Sequence, residues 1–189
     1  VTAERVQGGG RRRAYDPARR ERIARAAIAV IAKHGVADLT HRKVAAEAGV
    51  PLGSTTYHFA TLDDLLELAL LRATQDNVAQ VERWAAGLGG YPDIPSALAD
   101  LVLESVTTQR DETIVGYALY TAALHRPSLR SASEAWDAEL TRIFVGCTDE
   151  TTGQLIAVAV CGLLVQLSLS ESVPSREWLR SLFAKALAS

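Results

Sequence analysis

The sequence predicts an all-α chain of about nine helices, with a small three-helix unit leading into a larger helical domain. Three observations predict it. Apolar residues recur every three or four positions from about residue 23 onward, and no stretch alternates like a strand. Helix-capping residues stand ahead of most of these runs. Glycine and proline gather at a few breaks, chiefly "GLGGYPDIP" at residues 87–95. An apolar fraction of 48% against 22% charged is enough to build a core.

The elements follow in order. Residues 1–14 hold three glycines and Arg11, Arg12 and Arg13 without apolar period, so they read as a flexible basic arm. Asp16 can cap the first helix and Pro17 suits its first position; Ile23, Ala27, Val30 and Ile31 form its stripe, and Gly35 ends it. Thr40 caps a second helix that runs to Ala48 and breaks at Gly49. A short third helix spans about residues 52–58. Thr61 caps a fourth, with Asp64 three residues on and Asp63 also near the positive helix end, and it runs to about Trp84. Further helices are expected over about residues 95–109, 112–124, 128–145, 151–170 and 175–188. The expected domains are the arm, a unit over residues 15–61 and a second over residues 62–189.

Charge divides the chain. Residues 1–60 carry eleven Arg and Lys against five Asp and Glu, net +6; the rest carries nine against seventeen, net −8. An anionic partner is therefore expected at the N-terminal end alone. Cys147 and Cys161 lie in apolar surroundings and read as reduced core thiols. No metal or cofactor is expected, because His34 and His125 have no second ligand at metal spacing and no phosphate-binding loop stands out. No signal peptide is evident, which suggests a cytoplasmic protein. Residues 151–170 are uncharged, but the continuously apolar part, residues 155–165, is shorter than the ~20 residues a membrane span needs; a helix buried on all sides is expected instead. No nucleophile with a neighbouring base and no paired carboxylates beside a His favour an enzyme.

The chemistry concentrates in "VAAEAGVPLGSTTYHFATLDDLL", residues 44–66. Two helices joined by a short glycine turn cross steeply, with Ala45 and Ala48 allowing close approach and Val44 and Val50 anchoring the pair. The outer face of the short helix is expected to offer Ser54, Thr55, Tyr57 and His58, compact groups and rings suited to base edges and flanking phosphates. Thr40, Arg42 and Lys43 supply a hydroxyl and positive charge at the second helix's start. Phe59 is the better core candidate of the two rings that flank His58.

That stretch, with "ARAAIAVIAKHGVADLT" at residues 24–40 before it, resembles the DNA-binding domain of the tetracycline-repressor (TetR) family of bacterial regulators. The later helices are similar to that family in number, length and order, and "LYTAALHRPSLR" only weakly. The resemblance implies DNA contacts at Thr40, Thr55, Thr56, Tyr57 and His58, close backbone approach at Gly53, and core positions for Phe59 and Leu65. Two positions depart. Pro51 stands where the family often has a capping serine, and Leu62 where a phosphate-binding lysine is common; Arg42 and the arm could compensate.

One recognition helix reads few bases, so a homodimer is expected, with two such helices about 34–36 Å apart on a palindromic operator. Leu155, Val158, Leu163, Trp178, Leu182 and Phe183 on the last two helices are the expected interface. The resemblance also implies an effector cavity in the C-terminal helices, with Tyr117, Tyr120, Trp136, Phe144 and Gln166 as its lining and an apolar or aromatic small molecule as its guest. The expected function is a repressor released by that molecule. A DNA-binding dimer without a ligand and, more remotely, an α-helical enzyme are the alternatives.

Overall fold

A computed structural model describes residues 17–188. The basic arm and the expected cap Asp16 lie outside the described residues. Nine α-helices and no strand are found among the described residues: α1 (Pro17–His34), α2 (His41–Ala48), α3 (Leu52–His58), α4 (Leu62–Ala86), α5 (Ile94–Val106), α6 (Arg110–Ala122), α7 (Arg130–Cys147), α8 (Glu150–Ser168) and α9 (Arg176–Ala186).

Local chemistry sets the first boundaries where expected. Thr40 Oγ1 accepts the Lys43 amide at 3.2 Å to open α2. Gly49 closes it with φ 63°, a left-handed conformation that costs a Cβ-bearing residue strain. Thr61 and Asp64 form a reciprocal capping box at α4: Thr61 Oγ1 accepts the Asp64 amide at 3.1 Å, and the Thr61 amide donates to Asp64 Oδ2 at 2.9 Å. Further along, α5 and α8 begin at Asp93 and Asp149, whose carboxylates accept the Ser96 and Thr152 amides at 2.7 and 3.0 Å.

Two apolar clusters form the core. One gathers α5, α7, α8 and α9 around Leu98, Val102, Phe144, Ile156 and Phe183. The other joins Ile23, Ala27, Val30, Val44 and Phe59 of the N-terminal helices to Leu65, Leu66 and Leu70 of α4. It also takes in Val115 and Leu119 of α6, with Leu129 and Ala132 beyond. Helix α6 is thus two-faced: Val115 and Leu119 serve the N-terminal cluster, while Tyr117, on the turn between them, belongs to the other. Outside the clusters, Arg126 forms an ion pair with Asp63, and Ser128 Oγ donates to the same carboxylate at 3.2 Å, tying the α6–α7 corner to the first turn of α4.

Helix α8 corrects one expectation. It is not buried on all sides: 22% of its apolar window is buried, and Leu155 and Val158 are 43% and 64% exposed. Its inner face, with Gly153, Ile156, Val160, Leu163 and Leu164, packs on neighbouring helices from one side only. Gly153 permits the close crossing with α7, since a Cβ there would lie 2.4 Å from the Val145 amide nitrogen. By length and composition alone α8 could cross a membrane, the one such helix among the described residues.

Candidate functional site

Helix α3 has seven residues and two faces. Leu52, Gly53, Thr56 and Tyr57 face outward, and Tyr57 is 66% exposed. No atom beyond its neighbours would meet a Cβ on Gly53, so the backbone there stands open to a partner. Ser54 and Thr55 do not belong to this face: both are buried, and Thr55 Oγ1 donates to the Leu52 carbonyl at 2.7 Å. The helical period explains the correction. Thr55 lies one turn before Phe59, which is 1% exposed, so the two share the inner side. Arg20 of α1 covers the Phe59 ring, its guanidinium carbon 5.0 Å from the centroid. His58 is half-buried and meets the Tyr57 ring edge-on at 5.2 Å.

Around α3, Thr40 and Arg42 are exposed. The Lys43 ammonium lies 2.9 Å from Asp38, and that lysine holds the Asp38 carboxyl below its ordinary range. An exposed pair of this kind is weak and yields readily to another anion. Pro51 begins α3 without a side-chain cap, as the departure from the family pattern implied.

The second site is a half-open pocket on the C-terminal helices, with Asp137 and Val158 exposed at its mouth. Tyr117, Tyr120 and Trp136 form a triangle of rings, with centroids 5.4 Å apart for Tyr117–Trp136, 5.5 Å for Tyr120–Trp136 and 6.3 Å for Tyr117–Tyr120. They wall a chamber of about 410 Å³ between α6, α7 and α8, bordered further by Asp137, Leu140 and Cys161. Tyr120 donates to Asp137 Oδ2 at 2.8 Å, and burial together with that bond pushes its hydroxyl up to about 12, so it stays a donor at neutral pH. Burial also raises the Tyr117 and Cys161 groups. The Trp136 indole N–H donates to Asn77 Oδ1 at 3.0 Å, a bond that reaches from α7 to α4.

Two expected lining residues are elsewhere. Phe144 is 1% exposed and packs edge-on against Trp84 in the core, and Gln166 sits on the outer surface of α8, a turn beyond the chamber. Asp137 adds a carboxylate to the expected aromatic lining. Cys161, expected in the core, borders the chamber. Neither Asp137 nor Asn77 stands out in sequence; only packing reveals that Asp137 borders the chamber and that Asn77, from α4, accepts the N–H of its Trp136 wall.

Of the expected interface residues, Leu155, Val158, Trp178 and Leu182 present exposed apolar surface. Leu163 and Phe183 do not, at 9% and 2% exposure; each faces the chain's own core. The periodicity of an apolar helix shows that two faces exist but not which one the parent core takes.

Comparisons accord with this architecture. The family model for the C-terminal domain of tetracycline-repressor-like proteins matches residues 93–189, and that for tetR-family bacterial regulatory proteins matches residues 23–69. The multidrug-binding protein EbrR, solved with imidazole, is 38% identical, with 92% of this chain and 97% of that one covered at a TM-score of 0.80. Its ethidium complex aligns at 37% identity over 90% and 99% of the two chains, TM-score 0.78. A TetR-family protein of Streptomyces coelicolor A3 shares 38% identity over 92% of this chain and 100% of its own, TM-score 0.80. The transcriptional regulator BetI of Stenotrophomonas maltophilia is 28% identical over 68% of this chain and 66% of its own length. Matches to the curated relatives span between 56% and 66% of those proteins. The chain belongs to the TetR family of bacterial transcriptional regulators.

Proposed function

We propose that this chain is a repressor that binds a palindromic operator as a homodimer and releases it when a flat organic cation enters the Tyr117–Tyr120–Trp136 chamber. The observation that carries the reading is the chamber itself: three rings around a space of about 410 Å³ with a carboxylate, Asp137, at its edge. Ring faces attract cations, and a nearby carboxylate adds charge. Ethidium, proflavin and malachite green, the guests of EbrR, are aromatic organic cations, the first two of them flat, which supports the same class here.

The DNA contacts proposed are Gly53, Thr56, Tyr57 and His58 on α3, with Thr40, Arg42 and Lys43 for phosphate. The dimer face proposed is Leu155 and Val158 of α8 with Trp178 and Leu182 of α9, whose exposed apolar area a second copy would cover. A guest that displaces Trp136 pulls on Asn77 and so on α4, whose first turn adjoins α3. The two α3 helices then lose the spacing that fits successive major grooves. The guest must prefer that mis-spaced state, since equal affinity for both would shift nothing.

Selection of bound sequences from random duplex DNA tests the reading. An inverted repeat with half-sites about 34–36 Å apart is expected. Recovery of no duplex above background would sink it.

A further inference from the structure

The outward face of α3 holds Leu52, Gly53, Thr56 and Tyr57. None of these carries the amide, ammonium or guanidinium group through which side chains hydrogen-bond adenine and guanine edges at two points. Residues 44–71 contain no Lys, Arg, Asn or Gln at all. We propose that Leu52 is a base-reading residue, and that it recognises the C5-methyl group of a thymine in the major groove. The inference rests on the proposed function in taking α3 as the helix that enters the duplex.

Exposure and chemistry carry the argument together. Pro51, Leu52 and Gly53 are consecutive exposed residues whose side chains offer no hydrogen-bonding group. A Cβ built at Gly53 would meet nothing within 4 Å, so a duplex can approach the backbone beside Leu52 without obstruction. Thr56 lies one turn beyond Leu52 on the same row of the helix. Its Oγ1 donates back to the Gly53 carbonyl at 3.4 Å, which engages the hydroxyl proton within α3. Tyr57 brings a ring and one hydroxyl, which can serve a base or a phosphate alike. Thr40, Arg42 and Lys43 flank α3 from the start of α2 and suit phosphates, which are the same in every sequence. The choice of base therefore falls to α3, and its exposed side chain at Leu52 is apolar. Thymine alone presents an apolar group at its major-groove edge. Against that methyl both partners leave water, whereas a leucine set against the polar edge of another base would strip its hydration without replacing the hydrogen bonds.

The test uses the full chain and the operator recovered by selection from random duplexes. Each thymine of a half-site is replaced in turn by deoxyuridine, which keeps every hydrogen-bonding group and loses only the methyl. At least one position should weaken binding by about fourfold, the effect of withdrawing one methyl-sized apolar group from contact, and by about sixteenfold when both half-sites carry the change. Leu52→Ala should bind the all-thymine operator more weakly, with thermal unfolding unchanged, and should respond to deoxyuridine at that position by less than about 1.5-fold. The thymine contact is overturned if no position responds to loss of its methyl, or if Leu52→Ala keeps the full deoxyuridine response. An operator bound tightly yet indifferent to every deoxyuridine would leave the operator reading standing and remove the contact alone. Recovery of no duplex would overturn the operator reading, and the contact with it.

Discussion

The outer face of α3 and the chamber between α6, α7 and α8 use similar residues in opposite ways. On α3 a tyrosine and a threonine are turned outward from a helix of seven residues, and Tyr57 is 66% exposed. In the chamber, Tyr117 and Trp136 are turned inward at 8% and 4% exposure. The outward set is held by local chemistry: a threonine cap, a left-handed glycine and one buried ring beneath. The inward set is held by helices distant in sequence, as Trp136 and Asn77 are 59 residues apart. An outward face can thus be shaped within about twenty-five consecutive residues, whereas a pocket between helices requires the C-terminal fold.

That difference decides what was legible in sequence. The spans of α2 and α3 were legible because Thr40, Gly49 and the Pro51–Phe59 stretch act within a turn or two. Ser54 and Thr55 were assigned by chemistry when period should have decided; the buried Phe59, one turn from Thr55, already carried the signal. In the C-terminal half the helices could be recognised, but not which face each one buries. Phe144, Leu163 and Phe183 all proved to be core, since an apolar residue in sequence looks the same facing a cavity, a partner or its own interior. Asp137 and Asn77 were illegible because their meaning lies entirely in what packs beside them.

The comparison can be broken most forcefully at Phe59. Phe59→Ala removes the ring under the outward face and should destabilise the chain by about 3–5 kcal/mol in urea unfolding. A loss below about 1 kcal/mol would mean that the face does not depend on it.

Tyr57→Ala should leave unfolding unchanged while weakening operator binding by about 10–100-fold, or roughly 1.4–2.8 kcal/mol. Unaltered affinity would remove Tyr57 from the reading surface. Asn77→Ala sharpens the link between the two regions. Ethidium affinity and ligand-free operator affinity should each stay within a few-fold, but the ratio of operator affinities with and without ethidium should fall toward one. Full retention of that ratio would show that α4 is not moved through Trp136.

The smallest effect concerns the caps. Thr61→Ala should cost about 1 kcal/mol in the same unfolding assay. The carboxyls of Asp64, Asp93 and Asp149 are held below the 3.8 of an unperturbed aspartate by the hydrogen bonds they accept at helix starts. Their contribution is present above that value and disappears as pH falls through the lowered folded-state values. Thermal unfolding should therefore move to lower temperature on acidification below about pH 4, and the shift should be smaller in Asp64→Asn, which has no carboxyl to titrate at that helix start. An equal acid response in that variant would argue against the capping box as a contributor.

The most direct measurement is the affinity of the full chain for its selected operator, taken at fixed salt with and without saturating ethidium. The account predicts a weakening of about 5–150-fold, the effect of a coupling free energy near 1–3 kcal/mol. Equal affinity in the two conditions, with ethidium shown to occupy the Tyr117–Tyr120–Trp136 chamber, would contradict it.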